Sequence, residues 1–474
     1  MSAAEWPVVA VPGAGWSDPV AAVSPAGRED ADEPIRGQLR FAERLVRRDR
    51  DALRYVHGIG WHIWDGARWA PDLDGASVRL AVDTVKAAYD DLHRLGRDDQ
   101  KELIADIHKC ESAAGLDGML RLAGSMLPFA VSVGQLDADP YLLNCQDGTL
   151  DLHTGVLRPH DPADLLTKVA GCGYDPDASS PLFERFLRDV LPDDAMRAYI
   201  GRIFGHALVG KVIEHTLPIL TGSGCNGKST LYSVVMAAFG DYAIAAEPDL
   251  LVDKGAAHPT GQADLLGVRL AVCSETDNGR RLASATVKRL TGGDKIRARR
   301  MRQDFIEFKP SHSVVLVTNH KPQVAGDDPA LWRRLRVIPF DVVVEAPDTS
   351  LPELLLLELP AVLRWLVAGH DQWAATGMAE PEQVLAATEA YRASSDSLGR
   401  FLDECCLELA AATVKARELF GAWCAWCHRG GEEPGTEKAF AESMGARGVD
   451  KIKSYGVMTY RGLGLASADE ERRP

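Results

Sequence analysis

The spacing of apolar residues divides the chain into stretches of different period. Residues 1–35 show none; they are rich in Pro, Gly and Ala and turn acidic between Arg28 and Glu33, the composition of a disordered tail. From Leu39 the pattern becomes structural. Phe41, Leu45 and Val46 mark a short helix, and Tyr55–Trp69 alternates apolar and polar residues around Asp65-Gly66, a hairpin signal. Helical spacing returns over Leu80–Leu92 and Leu103–Met126. A β-rich patch with turns at Asp147-Gly148 and Thr154-Gly155 covers Tyr141–Leu157. Pro181–Val209 is helical again, with Phe183, Phe186, Leu187, Val190 and Leu191 on one face.

Between Leu217 and about Val344, strands and helices alternate: Leu217–Leu220, Leu231–Phe239, Val268–Cys273, Ala283–Leu290, Val314–Val317, with a further strand at Val337–Phe340. Such alternation predicts an α/β fold with a parallel sheet and chemistry at the strand ends. Leu351–Gly369 and Val384–Tyr391 read as covering helices. The first is the longest apolar segment, but Pro352, Glu353, Glu358, Pro360 and Arg364 interrupt it, so a buried helix is expected and no membrane span. At the C-terminus, helices Leu398–Leu409, Val414–Trp426 and Glu437–Ala446 precede two strands in Lys451–Leu465 around Tyr455-Gly456, the order of a winged helix. The expected division is a tail (1–35), an N-terminal mainly helical domain with small β elements (36–210), an ATPase domain (211–392) and a winged-helix-like domain (393–474).

Composition narrows the classes. A chain of 474 residues exceeds one ordinary core, and 46% hydrophobic with 26% charged residues is a globular balance. A formal charge of −15 excludes a broadly basic nucleic-acid coat, so any contact with DNA must be local. Nine scattered cysteines and a start without a cationic, apolar leader predict reduced thiols in the cytoplasm of a host cell.

The chemistry centres on GSGCNGKS, Gly222, Ser223, Gly224, Cys225, Asn226, Gly227, Lys228 and Ser229, followed by Thr230. Strand, glycine loop and helix stand in the order of a phosphate-binding loop. Glycines let backbone N–H groups turn toward phosphate oxygens, and the helix N-terminus adds partial positive charge. Lys228 would reach the β and γ phosphates of ATP, and Ser229 would ligate Mg2+.

Further groups fall at neighbouring strand ends. Arg269–Glu275 is an apolar strand closing on Glu275, with Asp277 two residues on; these are the expected catalytic carboxylates, Glu275 also at the metal. The strand Ser313–Thr318 ends in Asn319, a neutral amide suited to the γ-phosphate or the attacking water. Arg333 and Arg334 precede the Val337 strand, and one of them, preferably Arg334, is expected to stabilise the transferring phosphoryl group from an adjacent subunit. Lys288–Lys309 is locally basic in an acidic chain. Alternation there predicts a hairpin carrying Lys295, Arg297, Arg299, Arg300 and Arg302 for single-stranded DNA.

In this order the residues resemble the superfamily 3 helicases of the phage and plasmid primase-helicase type, which includes the poxvirus primase-helicase. The marks are GSGCNGKS (222–229), LLGVRLAVCSETD (265–277), VKRLTGGDKIRARR (287–300), VVLVTN (314–319) and DPALWRRLRVIPF (328–340). Upstream, LLNCQDGTLDLHTGVLRPHDP (142–162), FERFLRDVLPDD (183–194) and YIGRIFGHALVG (199–210) are similar to the helical domain before the motor. The resemblance implies an AAA+-like P-loop ATPase core in a homo-oligomeric ring, usually a hexamer. It implies ATP hydrolysis driving translocation on single-stranded and forked DNA during replication of a phage, prophage or plasmid, with a separate primase or replication initiator as a partner. Ser274 stands where the superfamily often has a first acid. Residues 1–200 show neither zinc-spaced cysteines nor a primase-like acidic set, so a member without the primase domain is expected.

Two other readings stay open: an ATP-regulated, DNA-bound initiator or loader without unwinding activity, and an ATPase acting on protein. Cys424-Ala425-Trp426-Cys427-His428 spells a haem-attachment pattern, but it falls in an amphipathic helix, where buried thiols are expected. Trp61, Trp64 and Trp69 would stack bases or fill a hairpin core, and Lys451, Lys453, Tyr455, Tyr460 and Arg461 would form a wing facing DNA or protein.

Overall fold

The structure is a computed structural model and describes residues 36–252, 260–274, 281–299, 305–324, 328–430, 433–449, 451–454 and 456–466, the side chains of 248, 249, 260 and 454 excepted. Glu275, Asp277, Arg300, Arg302 and Tyr455 lie outside the described residues.

Helices Gly37–Arg48, Ala76–Asp90, Arg97–Cys110 and Ala113–Ala123 form the first layer, packed through Phe41, Leu45, Leu103, Ile107 and Met119. Beside them lies a four-stranded sheet in the order Trp69–Pro71, Gly60–Trp64, Leu53–Val56, Ala130–Val131. The Asp65-Gly66 turn is present, its Asp65 carboxylate accepting N–H bonds from Ala67 and Arg68, each 2.9 Å. Trp69 is fully buried and sits 5.5 Å from the Trp64 ring, so these tryptophans pack the hairpin. The β-rich patch is a meander, Leu142–Asn144, Thr149–Asp151 and Val156–Arg158, turning at both expected Gly positions.

Pro181–Val190 and Asp194–His206 begin on side-chain caps. The Ser180 hydroxyl accepts from Phe183 N at 2.9 Å, and Asp193 accepts from Ala195 N at 2.7 Å. Phe183, Phe186, Leu187 and Val190 form the buried face, each contributing about 2 kcal/mol. They join one core with Leu220, Leu231, Val234, Val315, Val317 and Phe340, so apolar packing runs continuously across residue 210 into the sheet region.

That sheet is entirely parallel, in the order Leu335–Pro339, Leu217–Thr221, Ser313–Thr318, Leu270–Ser274, Ala243–Ala246. The last strand escapes the sequence pattern because four residues of mostly Ala carry no periodic signal at an edge. Leu217–Thr221 is buried along its whole length, as a strand covered on both faces must be. Helices Leu351–Leu356 and Leu359–Thr376 replace the single long helix expected over Leu351–Gly369. Glu382–Ser395 packs on the Leu335–Pro339 edge, with the Thr388 hydroxyl accepting from Val337 N at 3.0 Å.

The C-terminal unit holds helices Ser397–Cys405, Ala416–Gly430 and Glu437–Ala446 against a sheet ordered Cys406–Lys415, Val457–Leu465, Lys451–Ser454. Cys406–Leu409 is therefore strand, where the apolar spacing had predicted helix; non-local pairing with Val457–Leu465 overrides local preference. Cys427 is fully buried beside Trp423 and Trp426. Tyr460 is 1% exposed and belongs to this core, which corrects its placement on an exposed wing.

Candidate nucleotide site

The Gly222–Gly227 loop joins Leu217–Thr221 to the helix Lys228–Phe239, whose N-cap is Gly227 in the left-handed conformation (φ 76). Glycine is required twice here. A Cβ on Gly222 would lie 1.9 Å from the Asn226 amide nitrogen, and one on Gly227 would lie 2.4 Å from Val190 Cγ1. The second approach shows that Pro181–Val190 is pressed against the loop. Asn226, 3% exposed, donates to Phe340 O at 3.1 Å and so ties the loop to the residue that follows the neighbouring strand Leu335–Pro339.

Lys228 is 4% exposed. Its ammonium donates to Gly222 O at 3.0 Å, Asn226 Oδ1 at 2.8 Å and Asn319 Oδ1 at 3.2 Å. Burial holds its pKa below the usual lysine range. Sequence spacing alone placed Lys228 and Asn319 91 residues apart; the strand order makes Ser313–Thr318 the direct neighbour of Leu217–Thr221 and brings them into contact. The strand ending at Ser274 lies one place further out, on the other side of the Asn319 strand.

A cavity of about 560 Å³ opens on this cluster. Gly224 through Thr230, Ser274, Thr318 and Asn319 line one side, and Leu182, Arg185, Phe186 and Asp189 line another. A third wall comes from Val344, Ala346, Pro347, Asp348 and Leu351. Hydrogen bonds from the Ser350 hydroxyl and N–H, with the Arg185 charge, hold the Asp348 carboxyl low. The sequence reading missed Arg185, Asp189 and Asp348 on these two walls; the i, i+4 spacing of Arg185 and Asp189 was the only local signal.

Arg333 and Arg334 are not brought to the cavity. They precede the strand whose Leu335 pairs with Leu217, at the opposite edge from Thr221. A five-residue strand puts about 15 Å between the two edges. Arg334 is 9% exposed, and its Nε donates to Thr291 Oγ1 at 3.2 Å and its Nη1 to Ala330 O at 2.5 Å. Arg333 is exposed. The preference for Arg334 as a reaching group is thus reversed by packing: Arg334 is held within its own chain. Asp328 caps the preceding turn and accepts from Ser284 Oγ and Lys288 Nζ, both at 2.6 Å. Burial pushes its pKa up, but these bonds and Leu331 N–H outweigh it and bring it down to about 2.

The basic segment is a hairpin, Ile296–Ala298 paired antiparallel with Ile306–Phe308. Ile296, Ala298 and Phe308 point into the core, while Arg297 and Arg299 are exposed with their guanidinium carbons 4.8 and 4.9 Å from the Phe305 ring. Lys295 pairs with Glu307 at 2.6 Å.

A family model described as D5 N terminal like matches residues 40–192, and a second, described as a family of unknown function, matches residues 220–334. A protein of Acanthamoeba polyphaga mimivirus named "Putative helicase L207/L206" is 32% identical over 212 residues, 43% of this chain and 22% of that protein. Residues 40–192 are thus similar to the D5 N-terminal family, and the chain is similar to viral proteins named as helicases and primases. Invertebrate iridescent virus 6 "Putative helicase 184R" is 26% identical over 270 residues, and an African swine fever virus "Putative primase C962R" is 25% identical over 229. The matches span 22 to 28% of these relatives' own lengths. In fold, the chain is similar to the apo structure of the NrS-1 C-terminal region, with TM-score 0.50 and 12% identity, over 91% of this chain and 100% of that one. Among the described residues no helix is long and apolar enough to cross a membrane.

Proposed function

We propose that the chain is the ATP-hydrolysing motor of a replicative DNA helicase. The observation that carries this is the Lys228 ammonium, buried at a helix N-terminus and shared by Gly222 O, Asn226 Oδ1 and Asn319 Oδ1. A cation so held, beside a glycine loop and a helix N-terminus, suits a triphosphate: phosphate oxygens replace one of its three neutral acceptors and the charge stays where it is. Gly222–Thr230 acts as the phosphate-binding loop, and Asn319 orients the γ-phosphate or the attacking water without adding repulsive charge.

The exposed Ser229 hydroxyl, in the first turn of the helix and lining the cavity, suits a magnesium ion that arrives with nucleotide phosphates and keeps most of its water. Ser229 and Glu275 would hold that ion, which when bound neutralises charge on the phosphate oxygens. Asp277 would assist as a second carboxylate. Arg333, about a strand length from the phosphate loop of its own chain, serves the site of the next protomer in an AAA+-like ring, taken to be a hexamer. The exposed Arg297 and Arg299 beside Phe305 grip single-stranded DNA with charge and an aromatic face, and Arg300 and Arg302 belong to the same grip. The C-terminal helices and sheet form a winged helix that contacts DNA or a replication partner. The setting is replication of a phage, prophage or plasmid genome.

The test is ATP hydrolysis with and without single-stranded DNA, together with unwinding of a forked duplex by the full chain. Hydrolysis stimulated by the strand and coupled to unwinding is expected. Stimulated hydrolysis without unwinding would favour an initiator or loader instead, and indifference to DNA would remove the nucleic-acid reading.

A further inference from the structure

A second cavity, of about 700 Å³, lies away from the nucleotide cluster, where the N-terminal layer meets the base of the basic hairpin. This volume is within the range of about 300–1,000 Å³ common for ligand sites. Gly58 and the turn Val133–Gln135 pack on the hairpin strand Ile306–Phe308 and form one side. The linker Gly210-Lys211 and the segment Lys309–Ser311 supply others.

Its charge runs against that of the chain. Arg68, Lys168, Lys211, Lys295 and Lys309 line it, against the carboxylates of Asp137 and Glu307. Both carboxylates are already engaged. Asp137 accepts from Thr167 N at 2.9 Å and Thr167 Oγ1 at 2.6 Å, and burial pushes its pKa up, while Glu307 is paired with Lys295. Arg68 is likewise committed, to Asp65 and Asp241. Lys211 and Lys309 are exposed and have no ion-pair partner among the described residues. In a protein of formal charge −15, two unpaired ammonium groups over an apolar floor of Ile59, Leu136 and Leu266 select an anion with an apolar face.

We propose that this cavity is a second binding site for single-stranded DNA, in which Lys211 and Lys309 hold phosphates and the apolar floor takes a base. The inference rests on the hairpin reading above, because Lys295 and Ile306–Phe308 of that hairpin line the cavity: a strand leaving Arg297 and Arg299 runs down the hairpin to its base. The N-terminal layer then touches the strand directly and does more than flank the motor.

The experiment is fluorescence anisotropy of a labelled oligothymidine on the full chain across a salt series, with Lys211→Glu/Lys309→Glu, Lys211→Arg/Lys309→Arg and Arg297→Glu/Arg299→Glu. Both lysines are exposed, and unchanged thermal unfolding of each variant checks the fold. The glutamate pair at the cavity should weaken binding roughly ten-fold and lower the salt slope by about 1.4, two phosphate contacts at about 0.7 each, while the arginine pair retains both. Parental affinity in Lys211→Glu/Lys309→Glu alongside weakened Arg297→Glu/Arg299→Glu would overturn the cavity site and leave the hairpin grip standing; parental affinity in both would remove both. Thymidine monophosphate binding as tightly as the oligomer, and lost in the lysine-to-glutamate pair, would assign the cavity to a free nucleotide and overturn the strand assignment.

Discussion

At the edge where Leu217–Thr221 and Ser313–Thr318 end, Lys228, Asn226 and Asn319 satisfy one another within a single chain. At the edge where Leu335–Pro339 begins, Arg334 turns inward onto Thr291 while Arg333 is exposed. The first edge is assembled by strand pairing alone, since register fixes where each strand stops. The second presents a cation that its own phosphate loop cannot meet across the sheet. A cluster that closes on itself and a group that waits for another molecule call for different experiments.

Removing the cation at the closed edge is expected to have the largest effect. Lys228→Ala should bring ATP hydrolysis down to background while thermal unfolding stays close to the parent, as measured by phosphate release and calorimetry; parental turnover would end the phosphate-loop assignment. Arg333→Ala should lower hydrolysis by about 10³-fold with nucleotide binding intact. Mixing it with the Lys228→Ala protein should restore activity if the arginine acts between copies, and Arg334→Ala, by contrast, should show chiefly a loss of stability. A next smaller effect, about 10²-fold in hydrolysis, is expected for Asn319→Ala, which leaves Lys228 with two of its three acceptors.

Gly227→Ala sharpens the contrast through packing. A methyl group at φ 76 that meets Val190 at 2.4 Å must push Pro181–Val190 off the loop, at a cost of about 1–3 kcal/mol read as a lower Tm. The smallest effect concerns the scaffold of the other edge. Asp328 has its folded pKa lowered to about 2, below the ordinary 3.8, so it adds stability above about pH 4 that is lost as pH falls toward 2. In Asp328→Asn the part of the acid destabilisation falling in that window should shrink, as followed by urea unfolding at several pH values.

Much of this was legible before folding. GSGCNGKS carries its own strand and helix, and the hydrophobic runs at Leu217, Val268 and Val314 are long enough to declare buried parallel strands. Less legible were the elements whose signal lies elsewhere in the chain. Ala243–Ala246 is a strand only because Leu270–Ser274 offers it an edge, and Cys406–Leu409 leaves its helical pattern only because Val457–Leu465 pairs with it. Of the two adjacent arginines, burial distinguished what residue type could not.

The sequence by itself determined the local chemistry: a glycine loop closing on Lys228, an amide at the end of a strand and a basic hairpin, because each depends on neighbours within a few residues. Tertiary structure alone decided which of these meet. Strand order set Asn319 on Lys228 and Arg333 on the far edge, and packing laid the N-terminal layer against the hairpin base. Strand order and packing come from contacts between segments far apart in the chain, and no local pattern records them.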